Sequence, residues 1–229
     1  MGTITAQSII NKAVIQLNDI SSVRWTRAEL LGWLNDGQRQ IAIIQPNSSN
    51  YVTSIKLTAG TLQTIPSDGW MLLDVYRNMG TDGATPGRAI RITSKEMIDQ
   101  FNPDWHSDYP TSAATNFIFD IQNQTGFWVY PPSNGTGYVQ INYSRIPAPL
   151  TVEAQSIAIN DAYQTVLLDY IMYRACSKDA EYAPGLQLSA AYWEAFSTAI
   201  GAKNMAESGS SKNRSLGADT KPNAPGAES

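Results

Sequence analysis

The sequence predicts an α+β fold in which a helical domain is interrupted by a β-rich insert. Three observations carry this expectation. Apolar residues recur with a period near 3.6 at both ends of the chain. From 50 to 149 the period changes to two, punctuated by turn residues. From 206 to 229 periodicity is lost. The expected architecture is a four-helix bundle-like domain built from the N- and C-terminal helix pairs (1–49 and 150–205). It carries an antiparallel β-sandwich or barrel as its insert (50–149) and ends in an extended tail (206–229).

Thr5 to Leu17 reads as the first helix, with Ile9, Ile10, Ala13, Val14 and Leu17 on one side. Residues 18–25 form a polar turn. The second helix opens at Thr26, which with Glu29 fits the capping box, each side chain taking up a backbone N–H beside the other. Trp25 precedes the cap and can pack on Leu30 as a hydrophobic staple. The stripe runs through Trp33, Leu34, Ile41 and Ile44 to Pro46, which lacks the N–H that would continue the ladder.

In the insert, Tyr51, Thr53, Ile55 and Leu57 alternate with polar residues. Thr58–Ala59–Gly60 reads as a turn and Thr61 to Ile65 as the return strand of a hairpin. Met71 to Arg77 shows little alternation, as a strand buried on both faces would. A loop from Gly80 to Gly87 leads to a strand at Arg88–Thr93, and Ser94 caps a short helix, Lys95 to Phe101. Residues 102–115 are irregular. Strands follow at Asn116–Ile121, Phe127–Tyr130 and Tyr138–Ser144, and Pro147 and Pro149 close an insert of about six strands.

The third long helix starts at Asn160–Asp161, whose side chains can accept from the free N–H groups of its first turn. Its apolar positions are Tyr163, Val166, Leu167, Tyr170, Ile171 and Tyr173. A turn at Ala183–Pro184–Gly185 leads to the fourth, with Leu188, Tyr192, Phe196, Ala199 and Ile200 on one side and Gly201 as its terminating residue. Ala190, Ala191, Ala195 and Ala199 allow a neighbour to come close. Neither helix pair can bury its stripe alone, so the pairs are expected to close on each other. In the tail, Leu216 is the only large apolar residue. Such a segment cannot offset its ordering entropy and is either flexible or pinned by a partner.

Composition narrows the function. The 229 residues are 42% hydrophobic, enough for a core, and no run reaches the ~20 apolar residues of a membrane span. No charged start followed by an apolar run marks a signal peptide. Cys176 is the only cysteine, which excludes an internal disulfide and fits a reducing compartment and a place in helix packing. Charged residues make up 16%, against about 25% in ordinary soluble domains. Low charge with many neutral polar and aromatic residues fits a surface covered by neighbours. The net charge of −4 and scattered Lys and Arg argue against tight phosphate binding.

Chemistry has few candidates. Asp104, His106 and Asp108 alternate as carboxylate–imidazole–carboxylate, a donor set for a metal only if one face carries all three; with one histidine and no supporting cysteine a solvated loop accounts for them better, and no metal or cofactor is expected. Asp179 and Glu181 sit at a helix end, where a solvated turn accounts for them. No phosphate-cradling glycine loop, zinc-protease motif or nucleophile elbow is present, so no catalytic residue is assigned and the chain is not read as an enzyme. Aromatics crowd the insert: Trp105, Tyr109, Phe117, Phe119, Phe127, Trp128, Tyr130, Tyr138 and Tyr143. Alternation puts Trp128 and Tyr130 on one face and Phe127 and Val129 on the other. The aromatics read as a sandwich core plus subunit contacts, with Trp128, Tyr130 and Trp105 as the candidate contacts. The alternative reading is a carbohydrate-binding β-sandwich with a helical stalk, which requires a line of exposed tryptophans.

The order helix–helix, β insert, helix–helix resembles the head-to-tail adaptor (tail tubular protein A, or connector) of short-tailed bacteriophages. The residues that carry the resemblance are Arg24-Trp25-Thr26-Arg27-Ala28-Glu29-Leu30-Leu31-Gly32-Trp33-Leu34-Asn35-Asp36-Gly37-Gln38, then Asp120 with Phe127-Trp128-Val129-Tyr130-Pro131-Pro132, and then Asp169-Tyr170 with the run Tyr173 to Tyr182. Together they span most of residues 5–203. The resemblance implies a structural protein of the virion, made in the host bacterial cytoplasm. It implies a ring of twelve subunits between the portal protein and a tail nozzle, with DNA passing through unbound and no membrane involved. It further implies that residues 203–229 dock on the portal, with Lys203, Lys212, Arg214, Leu216 and Lys221 as candidate contacts.

Overall fold

The computed structural model describes residues 2–179 and 183–210, without the side chains of 183 and 203–210. The elements in chain order are α1 (Ala6–Gln16), α2 (Arg27–Ile44), β1 (Asn50–Lys56), β2 (Ala59–Thr64), β3 (Gly69–Asn78), β4 (Arg91–Ile92), α3 (Lys95–Phe101), β5 (Asn116–Phe119), β6 (Gly126–Asn134), β7 (Tyr138–Arg145), α4 (Gln164–Lys178) and α5 (Ala183–Ser210). The class is α+β, as the periodicities predict.

The helical caps form where the sequence places them. The Thr5 hydroxyl accepts from Ser8 N–H, and the full capping box is present at Thr26 and Glu29. α2 stops at Ile44, and Pro46 opens a 3-10 turn. α4 is the centre of this part. Val166, Leu167, Leu168, Tyr170, Ile171, Met172 and Ala175 bury most of its circumference, and α1, α2 and α5 all pack on it. One buried cluster joins Ile9, Ile10, Leu30, Leu34, Ile41, Leu167, Ile171, Phe196 and Ile200. Helices from both chain ends thus share a core. α2 and α4 approach closely at Gly37, where an added Cβ would lie 3.0 Å from the Tyr170 ring and 3.2 Å from Leu167.

Three sequence expectations for the last helix are corrected. Ala183–Pro184–Gly185 is not a turn but the first turn of α5, where the missing proline N–H would have had no partner anyway. Gly201 does not end α5, which continues through Ser210, so 206–210 belong to the helix. A single glycine costs about 1 kcal/mol relative to alanine, too little to stop a helix continued by Ala202, Lys203 and Ala206. Leu188 is 52% exposed, and Ser189 holds the buried position expected of it. The Ser189 hydroxyl lies 2.7 Å from that of Ser177 and donates to Tyr173 C=O on α4, so a polar residue occupies the stripe. The remainder of the expected tail, 211–229, lies outside the described residues.

The insert holds seven strands among the described residues, in two sheets of order β1-β7-β3 and β2-β6-β5-β4. All pairings are antiparallel except the two-residue β4–β5 pair, which is parallel. The expected β1–β2 hairpin does not form, because the two strands belong to different sheets. Gln63, fully buried, closes the corner between them. Its amide accepts from Thr58 N–H and donates to the carbonyls of Thr58 and Gly60, replacing a ladder. β3 is not buried on both faces either. Three register shifts against β7 break its alternation and bring Leu72 and Val75 inward at odd spacing. Both sheets contribute to one buried cluster, including Leu57, Leu72, Val75, Phe117, Phe127, Val129, Ile141 and Tyr143.

Two chain crossings join the helical part to the insert, and side-chain amides secure them. Asn35 pairs both ways with the Leu150 backbone, at 3.0 and 2.8 Å. Gln38 accepts from Ala158 N–H at 2.7 Å, and Tyr163 donates to Gln45 at 2.6 Å. Phe196→Ala is expected to cost about 3–5 kcal/mol in urea unfolding, whereas Leu188→Ala stays within about 0.5 kcal/mol.

Candidate assembly surfaces

The end of α4 is locked onto the loop between α1 and α2. Asp19 starts the arrangement by accepting from the N–H groups of Val23, Arg24 and Trp25, bonds that hold its carboxyl below the ordinary range, that to Trp25 first. The loop so shaped presents Arg24 to Asp179, and the first turn of α2 presents Glu29 to Lys178, each pair at 2.7 Å. Trp25 packs on the helical core and its Nε1 donates to Ala175 C=O at 3.3 Å. The Lys178 bond, followed by the Thr26 cap, lowers the Glu29 pKa. At the opposite end Asp161 accepts from the Thr3 hydroxyl and from Thr3 and Ile4 N–H, and its pKa is lowered in turn. Exposed pairs of this kind are screened by solvent and contribute little each. Their effect is to orient α4 against the N-terminal helices rather than to supply the bulk of stability.

Among the described residues, two of the surfaces that expose apolar side chains lie on α5 and around α3. On α5, Leu186, Leu188 and Trp193 are exposed beside the small Ala190, Ala191 and Ala195. The Trp193 ring lies 5.1 Å from Tyr173 and 5.4 Å from Phe196, so it is anchored on one side and open on the other. A long helix with apolar residues around its circumference, covered on one side only, calls for cover on the other. The second surface surrounds α3, which buries no residue. Ile92, Met97, Phe101 and Tyr109 are exposed along it, Phe101 and Tyr109 by 86% and 87%.

The sequence-predicted contacts fare differently. Phe127 and Val129 are fully buried while Trp128 and Tyr130 are half-buried on the opposite face, so the alternation holds. Trp105 is 1% exposed. Its indole donates to Asp99 at 2.8 Å and packs edge-on to Tyr130, so the subunit interior occupies it and it offers no face to a neighbour. Trp70 and Trp128 are half-buried, and the insert presents no line of exposed tryptophans among the described residues. Lys212, Arg214, Leu216 and Lys221 lie outside the described residues, as do the Lys203 side chain and Glu181.

The polar candidates are accounted for locally. His106 Nδ1 sits 2.8 Å from the Thr61 hydroxyl, its ring stacked on Trp105. Asp108 accepts from Asn102. Among the described residues no group of three His, Cys, Asp or Glu stands together as metal ligands. Asp179 belongs to the clamp. Burial pushes the half-buried Cys176 thiol up, away from thiolate chemistry. The sequence did not flag a cleft of about 410 Å³ between the two parts, lined by Ser48, Tyr51, Asp68, Arg145, Ile146 and Tyr163 among others. There Arg145 lies over the Tyr51 ring and bridges to Asp68 at 2.8 Å. No motif marks it, because its walls come from segments nearly a hundred residues apart. No helix among the described residues is long and apolar enough to cross a membrane.

Residues 4–219 match the family described as SU10 adaptor protein. Comparison with curated proteins finds no match.

The clamp carboxylates set an acid limit. Asp19, Glu29 and Asp161 all have folded pKa values below their ordinary ones. Their contribution is therefore complete above the unfolded values and is lost as pH falls through the folded ones. The thermal midpoint is expected to drop below about pH 4. A Glu29→Gln/Asp161→Asn variant is expected to melt lower at neutral pH and to lose less on acidification, as read by circular dichroism.

Proposed function

The chain belongs to the SU10 adaptor protein family, a phage head-to-tail adaptor family, and from that membership we propose that it forms a ring, of twelve subunits by resemblance, between the portal protein and the tail nozzle. The family match over residues 4–219 carries this reading. In it the helical domain, 1–49 with 150–205, acts as a four-helix bundle that packs around the ring. The open side of α5, with Leu188, Trp193 and the neighbouring alanines, supports subunit-to-subunit packing. The insert, 50–149, is a β-sandwich directed toward neighbouring components, with Trp128 and Tyr130 as contacts.

The segment from Lys203 onward docks on the portal through Lys203, Lys212, Arg214, Leu216 and Lys221. A segment that orders on binding can cover a large surface, and repetition around a ring multiplies a weak contact. The ring surrounds a channel through which DNA moves. A conduit must not grip phosphates, since each neutralised phosphate adds binding that passage has to break; a net charge of −4 fits that requirement. The reading assigns no catalytic role to any residue.

Mass photometry of the protein mixed with portal rings is expected to show a single complex heavier than the portal alone, and truncation after residue 202 is expected to abolish it. Limited proteolysis supplies the second check: the tail is cleaved rapidly in the free protein and protected in the complex. Equal cleavage in both would remove the docking role from 203–229.

A further inference from the structure

A sheet edge left open is a binding site for an extended chain, because its outward N–H and C=O groups already have strand geometry. Three of the four edges in this insert are short, irregular or already bonded. β2 carries a register shift between Gly60 and Leu62, and the Gln63 amide holds the Thr58 and Gly60 carbonyls. Along the outer side of β3, Tyr76 C=O accepts from Ile90, and Asn78 exchanges bonds with Gly87 and Arg88, while Leu72 N–H donates to Gln124. β4 is two residues long.

β1 is different. It is seven residues long with continuous register, no proline and no bulge. Leu57 N–H donates to Gly137 C=O at 2.9 Å, and Lys56 stands opposite Tyr138. Antiparallel alternation then turns Tyr51, Thr53 and Ile55 toward β7 and aims the backbone of Val52, Ser54 and Lys56 away from the sheet. Among the described residues no hydrogen bond reaches those outward groups. Tyr51 and Val52 are 42% and 41% exposed beside them.

We propose that the outer edge of β1 accepts an extended antiparallel strand from another virion protein. The chemistry of that strand follows from the edge. Lys56 is exposed at the C-terminal end of β1 and has no ion pair among the described residues. An antiparallel arrival puts the incoming strand's first residues beside it, so that strand carries a carboxylate near its N-terminal end. Alternate β-branched or aromatic side chains then extend the row of Tyr51, Thr53 and Ile55. A second copy of this chain fits less well. Its β2, β3 and β4 edges are short, irregular or already bonded, and β1 against β1, centred on Thr53, places Lys56 opposite Asn50 with no carboxylate for either lysine.

The inference rests on the adaptor reading for the particle in which it is tested. Hydrogen exchange by mass spectrometry compares the full-length protein free in solution with the protein in purified phage particles. The peptide 50–57 is expected to exchange at least about tenfold more slowly in the particle, since a hydrogen-bonded strand amide exchanges only on opening. Val52→Pro and Ser54→Pro each remove an outward N–H and no β1–β7 bond. Phage complemented with the double variant is expected to lose at least about tenfold in titre while the free variant keeps its thermal midpoint.

Equal exchange of 50–57 in particle and free protein overturns the proposal. So does protection that appears in the free protein and grows with its concentration, which assigns the edge to a second copy. If the proline variant melts early, the wild-type exchange comparison decides alone. Absence of the protein from particles overturns the adaptor reading and removes this inference with it.

Discussion

The burial of α4 is the constraint on which the rest depends. Seven of its fifteen residues are buried, more than one partner helix can cover, and the coverage comes from both ends of the chain. α1 and α2 supply Ile10, Leu30, Leu34 and Ile41, and α5 supplies Phe196 and Ile200. Because α4 follows the insert in sequence, its burial requires the chain to return to where it started. That return places β1 and β7, the first and last strands of the insert, side by side. The sheet β1-β7-β3 is thus a consequence of where the helices meet as much as of strand propensity.

Buried amides complete what hydrophobic packing begins. Gln63 closes the corner between the sheets, and Asn78 exchanges bonds with the Ala114 backbone at 2.7 and 2.8 Å. Asn35 and Gln38 hold the return segment on α2. Each serves the backbone of a connecting segment, at Thr58, Ala114, Leu150 and Ala158, that no regular ladder reaches; a buried backbone group left without a partner costs about 1–3 kcal/mol. An amide can serve both a donor and an acceptor at once, which no charged or hydroxyl side chain of that size does as well. This accounts for the many neutral polar residues without invoking a solvent-exposed role for all of them.

An adaptor works by surfaces, and the arrangement leaves distinct ones free. Among the described residues α5 is apolar around its circumference and packs chiefly on α4, and α3 with its flanks exposes Ile92, Met97, Phe101 and Tyr109. The stabilising contacts lie elsewhere, in the two buried clusters and the crossings between them. The chain can therefore present large apolar residues to neighbours without depending on them for its own fold.

Local signals in the sequence determined much of this protein. The Thr26–Glu29 capping box, the Ser94 cap, the stop at Pro46, and the alternation of Phe127 and Val129 against Trp128 and Tyr130 all follow from interactions within a few residues. The family was legible too, through the Arg24–Gln38 run and the aromatic strand at 127–132. Only the tertiary structure decided that β1 and β2 lie in different sheets, that Pro184 opens a helix, that Ser189 displaces Leu188 from the buried stripe, and that Trp105 is interior. Except at Pro184, where a first-turn rule suffices, these outcomes depend on partners outside any single element: Gln63 and Gly137 for the β1–β2 corner, α4 for Ser189, Asp99 and Tyr130 for Trp105. Periodicity reports which residues want cover, whereas the geometry of distant elements settles which ones receive it.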